Sequence, residues 1–349
     1  MAIPDFITHG TSDDRLWRGP TIAEIARESK VGTATVDRVL NGRSNVRDAT
    51  REKVLSALER LKAPVIAASH TAKRIAFLTE SGTSFNATLE AAVTQYGSVN
   101  PGVNCPFISI TSVRFDPVKF ANEIERMAES SDGLVVVARE NLTVNRAIRN
   151  VTARKVPVVC LTTDLPNSGR VAYVGSDQSN AGATAALLMG QTLAPRGGKI
   201  LLVYSAPYRA QEERELGFRR VLRSEFQHLE IDDRVNSSDD SEHAYRNVMT
   251  YIEHHGVPVG IYNTVGGNAG IGKALMEHEL VGKTVFIGHE LNQNSRMLLE
   301  AGVMNFAIGH DVSIEVETAV HHVLAALSKS APTLPALSRV RIYTKYSCN

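Results

Sequence analysis

Residues 21–42 read TIAEIARESKVGTATVDRVLNG and predict two short helices joined by a tight turn. Thr21 and Glu24 have the spacing of a capping box, in which each side chain satisfies a free backbone amide at a helix start. Residues 30–32 supply the turn, and residues 41–42 end the second helix because Asn and Gly tolerate the left-handed backbone conformation. Apolar residues three and four apart give each helix one apolar stripe. The pattern is that of a helix-turn-helix.

A third helix, roughly residues 48–61, brings further apolar side chains to the same small core. This part of the chain is basic. Between Arg15 and Lys62 there are eleven Lys and Arg against six Asp and Glu, so the segment carries +5 and the remainder −4 of the net +1. A basic end on a mildly acidic body is typical of a nucleic-acid-binding module joined to a different domain. A solvated charged surface is the alternative interpretation.

In a helix-turn-helix the second helix lies in the DNA major groove, and its first exposed residues meet base edges. Here those residues are Thr33, Ala34 and Arg38. The planar guanidinium of Arg38 can bind guanine, and the Ala34 methyl can touch a thymine methyl. Thr35 and Asn41 are better placed for phosphates. A small helical bundle with a solvated arginine is the alternative.

The run PTIAEIARESKVGTATVDRVLNGRSNVRDATREKVLSALERL resembles the DNA-binding domain of LacI/GalR-family bacterial transcription regulators, including a TVxRVLN core and a TREKV start of the third helix. By this resemblance, Thr33, Ala34 and Arg38 read bases. The residues on the phosphate side are Gly32, Thr35, Asp37 and Asn41. The family usually has serine where this chain has Gly32 and Asp37, and a carboxylate repels phosphate unless it pairs with an arginine or reads cytosine. We therefore expect an operator unlike the standard one of the family.

The next segment, residues 63–73, is rich in small residues and carries Pro64, so it predicts a linker of one or two helical turns at most. Hinge helices of the family normally insert a leucine into the minor groove, which bends the duplex. There is no leucine between Pro64 and Lys73. Whether Ile66 replaces the wedge or the wedge is absent stays open.

From residue 74 onward, continuous apolar runs alternate with amphipathic segments, which predicts parallel strands and covering helices. The predicted fold is a small all-α helix-turn-helix head, residues 19–62, joined to an α/β two-lobed domain with doubly wound parallel sheets. The predicted boundaries are residues 74–170 and 308–330 for the first lobe, 171–307 for the second lobe, and 331–349 for a C-terminal tail. Ligands of such sheets bind beyond the carboxyl ends of the strands.

Residues 74–349 also resemble the effector-binding part of the same family, which is similar to type I periplasmic sugar-binding proteins of the ribose-binding kind. The matching runs are DQSNAGATAALLMGQTL, RELGF and IGHELNQNSRMLLEAGVMNFAIGHD. The resemblance implies that Phe85 stacks on a small sugar or polyol and that His310 lines the cleft. It implies hydrogen bonds to this effector from Asp164, Arg214, Asn263 and Glu290. Glu290 stands where aspartate is common and His310 where glutamine is frequent, so the identity of the effector stays open.

Residues 267–273, GNAGIGK, have the spacing of a phosphate-binding loop, but the next residue is Ala274 rather than Ser or Thr. The hydroxyl that would hold magnesium is therefore missing. An anionic ligand at the start of the following helix is the alternative to an ordinary turn.

Three cysteines, Cys105, Cys160 and Cys348, give neither a disulfide framework nor a zinc pattern, and no nucleophile–base pair emerges. We expect no enzyme activity, no cofactor and no metal. The sequence shows no signal peptide and no apolar run of membrane-spanning length, so a cytoplasmic protein is expected. The favoured function is a regulator that binds a palindromic operator as a homodimer and senses a small sugar, polyol or related polar effector, with repression as the expected sense of regulation. A sugar-binding transport component is the alternative.

Overall fold

The structure is a computed structural model. It describes residues 21–40, 46–62 and 72–348.

The chain divides into two compact units, residues 1–70 and 71–349, which we call the N-terminal unit and the C-terminal unit. The division falls inside the predicted linker. Pro64, Ile66 and Asn41 lie outside the described residues, so the expectations placed on them stay predictions.

The N-terminal unit contains the helices α1 (Ile22–Ser29), α2 (Thr33–Leu40) and α3 (Asp48–Lys62). Their shared core consists of Ile25, Val36, Val39 and Val54. The chain turns between α1 and α2 as predicted, and the Gly32 carbonyl accepts from the amides of Thr35 and Val36 to start α2. Three other apolar residues of these helices, Ile22, Leu40 and Leu55, lie outside this core and are 40–45% exposed.

The C-terminal unit is an α/β fold. Its helices are α4 (Thr83–Val99), α5 (Pro117–Glu129), α6 (Leu142–Ala153), α7 (Gln178–Leu193), α8 (Arg209–Glu225), α9 (Ser241–His255), α10 (Asn268–Glu277), α11 (Gln293–Glu300) and α12 (Val312–Ser328). Its strands are β1 (Lys73–Ser81), β2 (Val103–Asn104), β3 (Phe107–Thr111), β4 (Gly133–Val137), β5 (Val158–Leu161), β6 (Ala172–Ser176), β7 (Gly198–Tyr204), β8 (Leu229–Asn236), β9 (Gly260–Asn263), β10 (Val285–His289), β11 (Phe306–Gly309), β12 (Leu337–Ser338) and β13 (Arg341–Tyr343).

The first lobe is built on a parallel sheet with the strand order β12-β6-β5-β4-β1-β2, in which β3 also pairs with β1. Helices α5 and α6 cover one face of this sheet, and α4 and α12 cover the other. Residues of both faces are therefore buried, and Gly133–Val137 is an uninterrupted apolar strand for that reason.

The second lobe is built on a sheet with the order β13-β11-β10-β9-β7-β8, parallel except for β13. Helices α7 and α8 cover one face, and α9, α10 and α11 cover the other. The two lobes thus repeat one architecture, as the alternation of strands and helices predicts.

The predicted lobe boundaries need two corrections. Strand β6 pairs with β5 through Cys160 and Tyr173, so the first lobe extends to Ser176 rather than ending at residue 170. The predicted tail is not a tail, because β12 joins the first sheet and β13 joins the second. An apolar strand looks the same whether it closes one parallel sheet or opens the next, which is why periodicity placed β6 wrongly.

Candidate functional site

A cavity of about 490 Å³ lies between the two lobes of the C-terminal unit. The segments that follow β1 and β5 line it from the first lobe, and those that follow β7, β8, β9 and β10 line it from the second. This is the position that doubly wound sheets provide for ligands, and the volume suits a small molecule. The polar lining includes Ser81, Thr83, Ser84, Thr162, Thr163, Gln211, Arg214, Asp239, Asp240, Asn268, His289, Glu290, Asn292 and Asn294.

Arg214 is the cation of this cavity, and it is only 4% exposed. Its Nε donates to Oε1 of Gln178 at 2.7 Å, and its Nη1 donates to the Thr264 carbonyl at 2.8 Å. These two bonds hold the guanidinium plane and leave Nη2 without a hydrogen-bond partner among the described residues. An arginine fixed in this way offers a ready donor to a ligand at little entropic cost.

Two glycines bring the helices that carry these side chains together. A Cβ at Gly182 of α7 would lie 1.8 Å from the Arg214 carbonyl oxygen, and one at Gly217 of α8 would lie 1.9 Å from that of Ser179. Such distances are impossible for any side chain, so α7 and α8 can touch only through glycine. This close packing places Gln178 against Arg214.

Glu290 is the unpaired carboxylate of the cavity. It follows β10 with φ +69, a left-handed conformation that is uncommon for a residue other than glycine. Its amide donates to the Ile308 carbonyl at 2.8 Å, but its carboxylate makes no hydrogen bond or ion pair within residues 72–348. Burial raises the pKa of Glu290, and the attraction of Arg214 and His310 only partly opposes this. We call Arg214 and Glu290 the cavity pair.

A second set of polar groups joins the lobes beside the cavity. The carboxylate of Glu80 is fully buried and accepts from the Arg139 guanidinium at 2.5 Å and from the Arg139 amide at 3.1 Å. The hydroxyl of Tyr208, from the second lobe, donates to the same carboxylate. Ser112 lies 2.8 Å from the Tyr208 hydroxyl and donates to Oδ2 of Asp239 at 3.2 Å. We call these five residues the interlobe clasp.

Asp239 belongs to the clasp and also lines the cavity. Its carboxylate accepts from the Gly266 amide and from the hydroxyls of Ser205 and Ser112. Burial nevertheless raises its pKa, and the nearby Glu80 adds to the shift.

The apolar side of the cavity comes from Phe85 in the first turn of α4 and from Tyr208 before α8. His289 presents a neutral ring there, because burial holds its pKa well below its usual range while its Nε2 lies 2.9 Å from the Tyr262 hydroxyl. The arrangement combines one aromatic face with donors and acceptors, which favours a compact polar ligand.

Three residues predicted to contact an effector do not line the cavity. Asp164 forms an ion pair with Arg170 on its own loop. Asn263 is buried and donates to the carbonyls of Val265 and Gly266 and to Asn268 Oδ1, so it shapes the loop rather than the ligand surface. His310 lies 2.8 Å from Glu315, away from the lining. Each of the three residues follows a strand as predicted, but its side chain already contacts a group a few residues further along the chain.

Phe85, Arg214 and Glu290 line one cavity, and their contact with an effector stays a prediction. The structure adds Tyr208, Gln211, Asp239 and Asp240. The two aspartates follow β8, an edge strand in which polar and apolar residues alternate, so it lacks the continuous apolar run by which the other strands are recognised.

The glycine-rich run at residues 267–273 starts α10, and Gly267 adopts φ +91 beside the cavity. The lysine of the phosphate-loop pattern does not reach that cavity. Lys273 lies over the ring of Tyr245 and 3.9 Å from Glu277. The run therefore contributes backbone to the cavity without the charge that nucleotide phosphates need.

In the N-terminal unit, α2 presents the side chains predicted to read bases. Thr33, Ala34 and Arg38 are exposed, as is Gly32, while Thr35 and Asp37 are half-buried. Val36 and Val39 anchor the opposite face of the helix in the core. A helix held by one face with these residues on the other has the form that the major groove accepts.

Within the described residues, no cluster of His, Cys, Asp and Glu could hold a metal ion. None of the described helices is both long enough and apolar enough to cross a membrane.

Comparison with known families gives two matches. The periplasmic binding protein domain matches residues 75–331, which is most of the chain. The lacI family of bacterial regulatory proteins matches residues 21–62.

Relatives in sequence are similar over the N-terminal unit alone. Catabolite control protein A of Priestia megaterium is 56% identical over 41 residues, which is 12% of this chain and 12% of that protein. The HTH-type transcriptional regulator pepR1 of Lactobacillus delbrueckii subsp. lactis is 54% identical over 41 residues, again 12% of each chain. The chain thus matches only a small part of these relatives.

Solved structures are similar over the C-terminal unit. A glucose-galactose binding protein from Geobacillus stearothermophilus has a TM-score of 0.70 at 19% identity, covering 79% of this chain and 98% of that one. A solute binding protein from Burkholderia graminis, in complex with D-arabinose, has a TM-score of 0.73 at 18% identity, covering 80% and 97%. At these identities the likeness establishes the fold alone.

Proposed function

The chain belongs to the periplasmic binding protein domain family and carries a DNA-binding domain of the lacI family of bacterial regulatory proteins, and on this premise we propose that it is a ligand-responsive transcription regulator. One observation carries the proposal. The same chain exposes on α2 the residues predicted to read bases and has, in its C-terminal unit, a polar cavity with an unpaired arginine donor and an unpaired carboxylate.

For the DNA, we propose a palindromic operator bound by a homodimer in the cytoplasm, with one α2 helix in each half-site. Arg38 would bind guanine, and Thr33 and Ala34 would contact neighbouring bases. Gly32, Thr35, Asp37 and Asn41 would lie on the phosphate side. Repression is the sense of regulation that we propose.

For the effector, we propose a small sugar or polyol. Such a molecule supplies hydroxyl donors to Glu290 and Asp239 and hydroxyl acceptors to Arg214, and its ring or chain carbons can lie on Phe85. Support comes from the cavity volume and from the sugar-binding proteins with the same fold.

The likeness to solute-binding proteins also suits the alternative, a binding component for transport. The lacI-family match at residues 21–62 favours the regulator, because a transport component has no use for a base-reading helix.

The DNA proposal is tested by selecting a binding site from random duplexes with the full-length protein and then measuring every single-base variant of it. Replacing Arg38→Ala should cost roughly 1–3 kcal/mol at one base position of each half-site, while Thr35→Ala should weaken binding evenly across variants. Arg27→Ala is the matched control, since it removes an exposed arginine from α1. An Arg38→Ala protein that keeps the base preferences of the wild type would refute the assignment.

The effector proposal is tested by thermal unfolding of the full-length protein with a panel of sugars, polyols and sugar acids. A ligand at about a hundred times its Kd adds about 2.7 kcal/mol to the free energy of unfolding, which is easily seen. The ligand that raises the Tm should also change operator affinity. If no compound in the panel raises the Tm, the sugar or polyol class is wrong while the DNA proposal stands.

A further inference from the structure

The chain crosses between the lobes three times: after β6, after β11 and after β12. Ser176 ends β6, His310 follows β11, and Ser338 ends β12. Any opening of the cleft must be absorbed by these crossings, because they alone carry backbone between the lobes within residues 72–348.

A buried chain of polar contacts links all three crossings. Nδ1 of His310 lies 2.8 Å from Oε2 of Glu315 in the first turn of α12, and the two side chains are only 4% and 1% exposed. The other oxygen of Glu315 accepts from the Ser338 hydroxyl. That hydroxyl lies 3.1 Å from the hydroxyl of Ser176.

Because they lie at the crossings, these polar contacts can resist opening of the hinge between the lobes. If the lobes rotate apart, His310, which follows β11 of the second lobe, shifts relative to Glu315 on α12 of the first lobe, so the contact between them must stretch or break. Ser338 and Ser176 are paired in the first sheet and hold the Glu315 carboxylate in place. Breaking a buried ion pair is costly because each charge is left without its partner in a medium that solvates it poorly. We propose that the His310–Glu315 ion pair, bridged to Ser338 and Ser176, is a lock that holds the interlobe hinge in its closed arrangement.

The lock depends on a positive charge on His310, and several groups act on that charge. Burial opposes it, but Glu315 from α12 overrides burial and raises the pKa of His310, with help from Glu290 after β10. Arg214 from α8 acts against it, and His289 on β10 is neutral.

The direction of the pH effect follows. In the closed form the pKa of His310 is raised, whereas in an opened, hydrated hinge it returns toward its ordinary value. The imidazolium therefore stabilises the closed form fully at pH values below its ordinary pKa, and this contribution is lost as the pH rises through the raised pKa. The lock should hold at pH 6 and weaken at pH 9.

The test measures the distance between the lobes without ligand. Spin labels are placed on the exposed positions Glu90 of α4 and Thr250 of α9, in full-length protein in which Cys105 is replaced by serine. Pulsed EPR should give one short distance at pH 6 and a growing longer component at pH 9. In His310→Gln and Glu315→Gln proteins, the longer component at pH 6 should rise by about fivefold or more relative to wild type.

Two further variants keep the test decisive. Arg341→Gln removes a more exposed ion pair, 2.8 Å from Asp311, that spans two of the same crossings, and it should leave the distances unchanged. Ser338→Ala removes the bridge without stranding a charge, so it should shift the distances in the same direction even if a charge variant fails to fold. Wild-type distances in Ser338→Ala and in every folded charge variant at both pH values would overturn the proposal, as would a wild type that opens at pH 6.

Discussion

The interlobe clasp and the cavity pair lie in the same cleft, yet their polar groups are satisfied very differently. In the clasp, Glu80 accepts from Arg139 and Tyr208, so its buried charge is neutralised by the protein. In the cavity pair, Glu290 has no partner within residues 72–348, and Arg214 keeps one nitrogen free. Buried polar groups are normally paired, so the unpaired ones mark the place where a ligand completes the structure.

The difference separates stability from recognition. Breaking a buried ion pair is costly, but the two paired groups contribute nothing to ligand affinity. An unpaired buried charge lowers the free energy of unfolding of the ligand-free protein, and this cost is offset only when a ligand pairs with the charge. Three substitutions test this comparison.

The largest effect should come from the clasp. Glu80→Gln leaves the partly buried Arg139 guanidinium, whose side chain is 19% exposed, without its counter-charge. The free energy of unfolding should therefore fall by about 3 kcal/mol in chemical denaturation, the low end for breaking a buried pair. Glu123→Gln is the control, since its pair with Arg126 is exposed on one side and should be worth under about 1 kcal/mol. Equal losses in the two variants would show that the clasp is no more than a surface contact.

The next effect concerns binding. Arg214→Lys keeps the charge, but an ammonium group cannot reproduce the fork that reaches Gln178, Thr264 and the cavity together. Affinity for the effector found by thermal shift should fall by about 2 kcal/mol in calorimetry. Arg219→Lys on the same helix, whose pair with Glu215 lies outside the cavity lining, should bind as wild type does. Unchanged affinity in Arg214→Lys would place the ligand elsewhere.

The smallest effect should be a gain. Because the pKa of Glu290 is raised, the ionised carboxylate costs stability that grows as the pH rises from its ordinary pKa through the raised one. Glu290→Gln should therefore unfold like wild type at pH values below the ordinary pKa of glutamate and be more stable than wild type at pH 8, as measured by chemical denaturation at each pH. Its effector binding should weaken. A variant less stable than wild type at pH 8 would mean that Glu290 has a structural partner.

Sequence and structure agree best where local signals decide. Periodicity and caps predict α1, α2 and the turn at Gly32, because short-range hydrogen bonds and one apolar stripe define these elements. The family resemblance also selects Arg214 and Glu290, and both line the cavity. Glu290 directly follows β10, whereas Arg214 lies on α8, the helix after β7. Asp164 and His310 also follow strands, but their side chains already pair with Arg170 and Glu315. No pattern in the sequence shows which carboxylate or imidazole has such a partner.

Runs of apolar residues do not identify the edge strand β8 of the second sheet. Strand β8 alternates polar and apolar residues, so Asp239 behind it was not recognised. The clasp was missed for a related reason. Glu80, Ser112, Arg139, Tyr208 and Asp239 come from five separate segments, and only tertiary packing brings them together.

The placement of β12 and β13 determines the order in which the two units can fold while the chain is being synthesised. Each sheet of the C-terminal unit receives one edge strand from residues 337–343, and α12 returns to cover a sheet begun more than 200 residues earlier. A growing chain on the ribosome can form α1, α2 and α3 early, because their contacts are local. Both lobes must wait for residues 337–343 to emerge before their sheets are finished, so a nascent chain displays α2, the helix proposed to read DNA, well before the sheets that frame the cavity are complete.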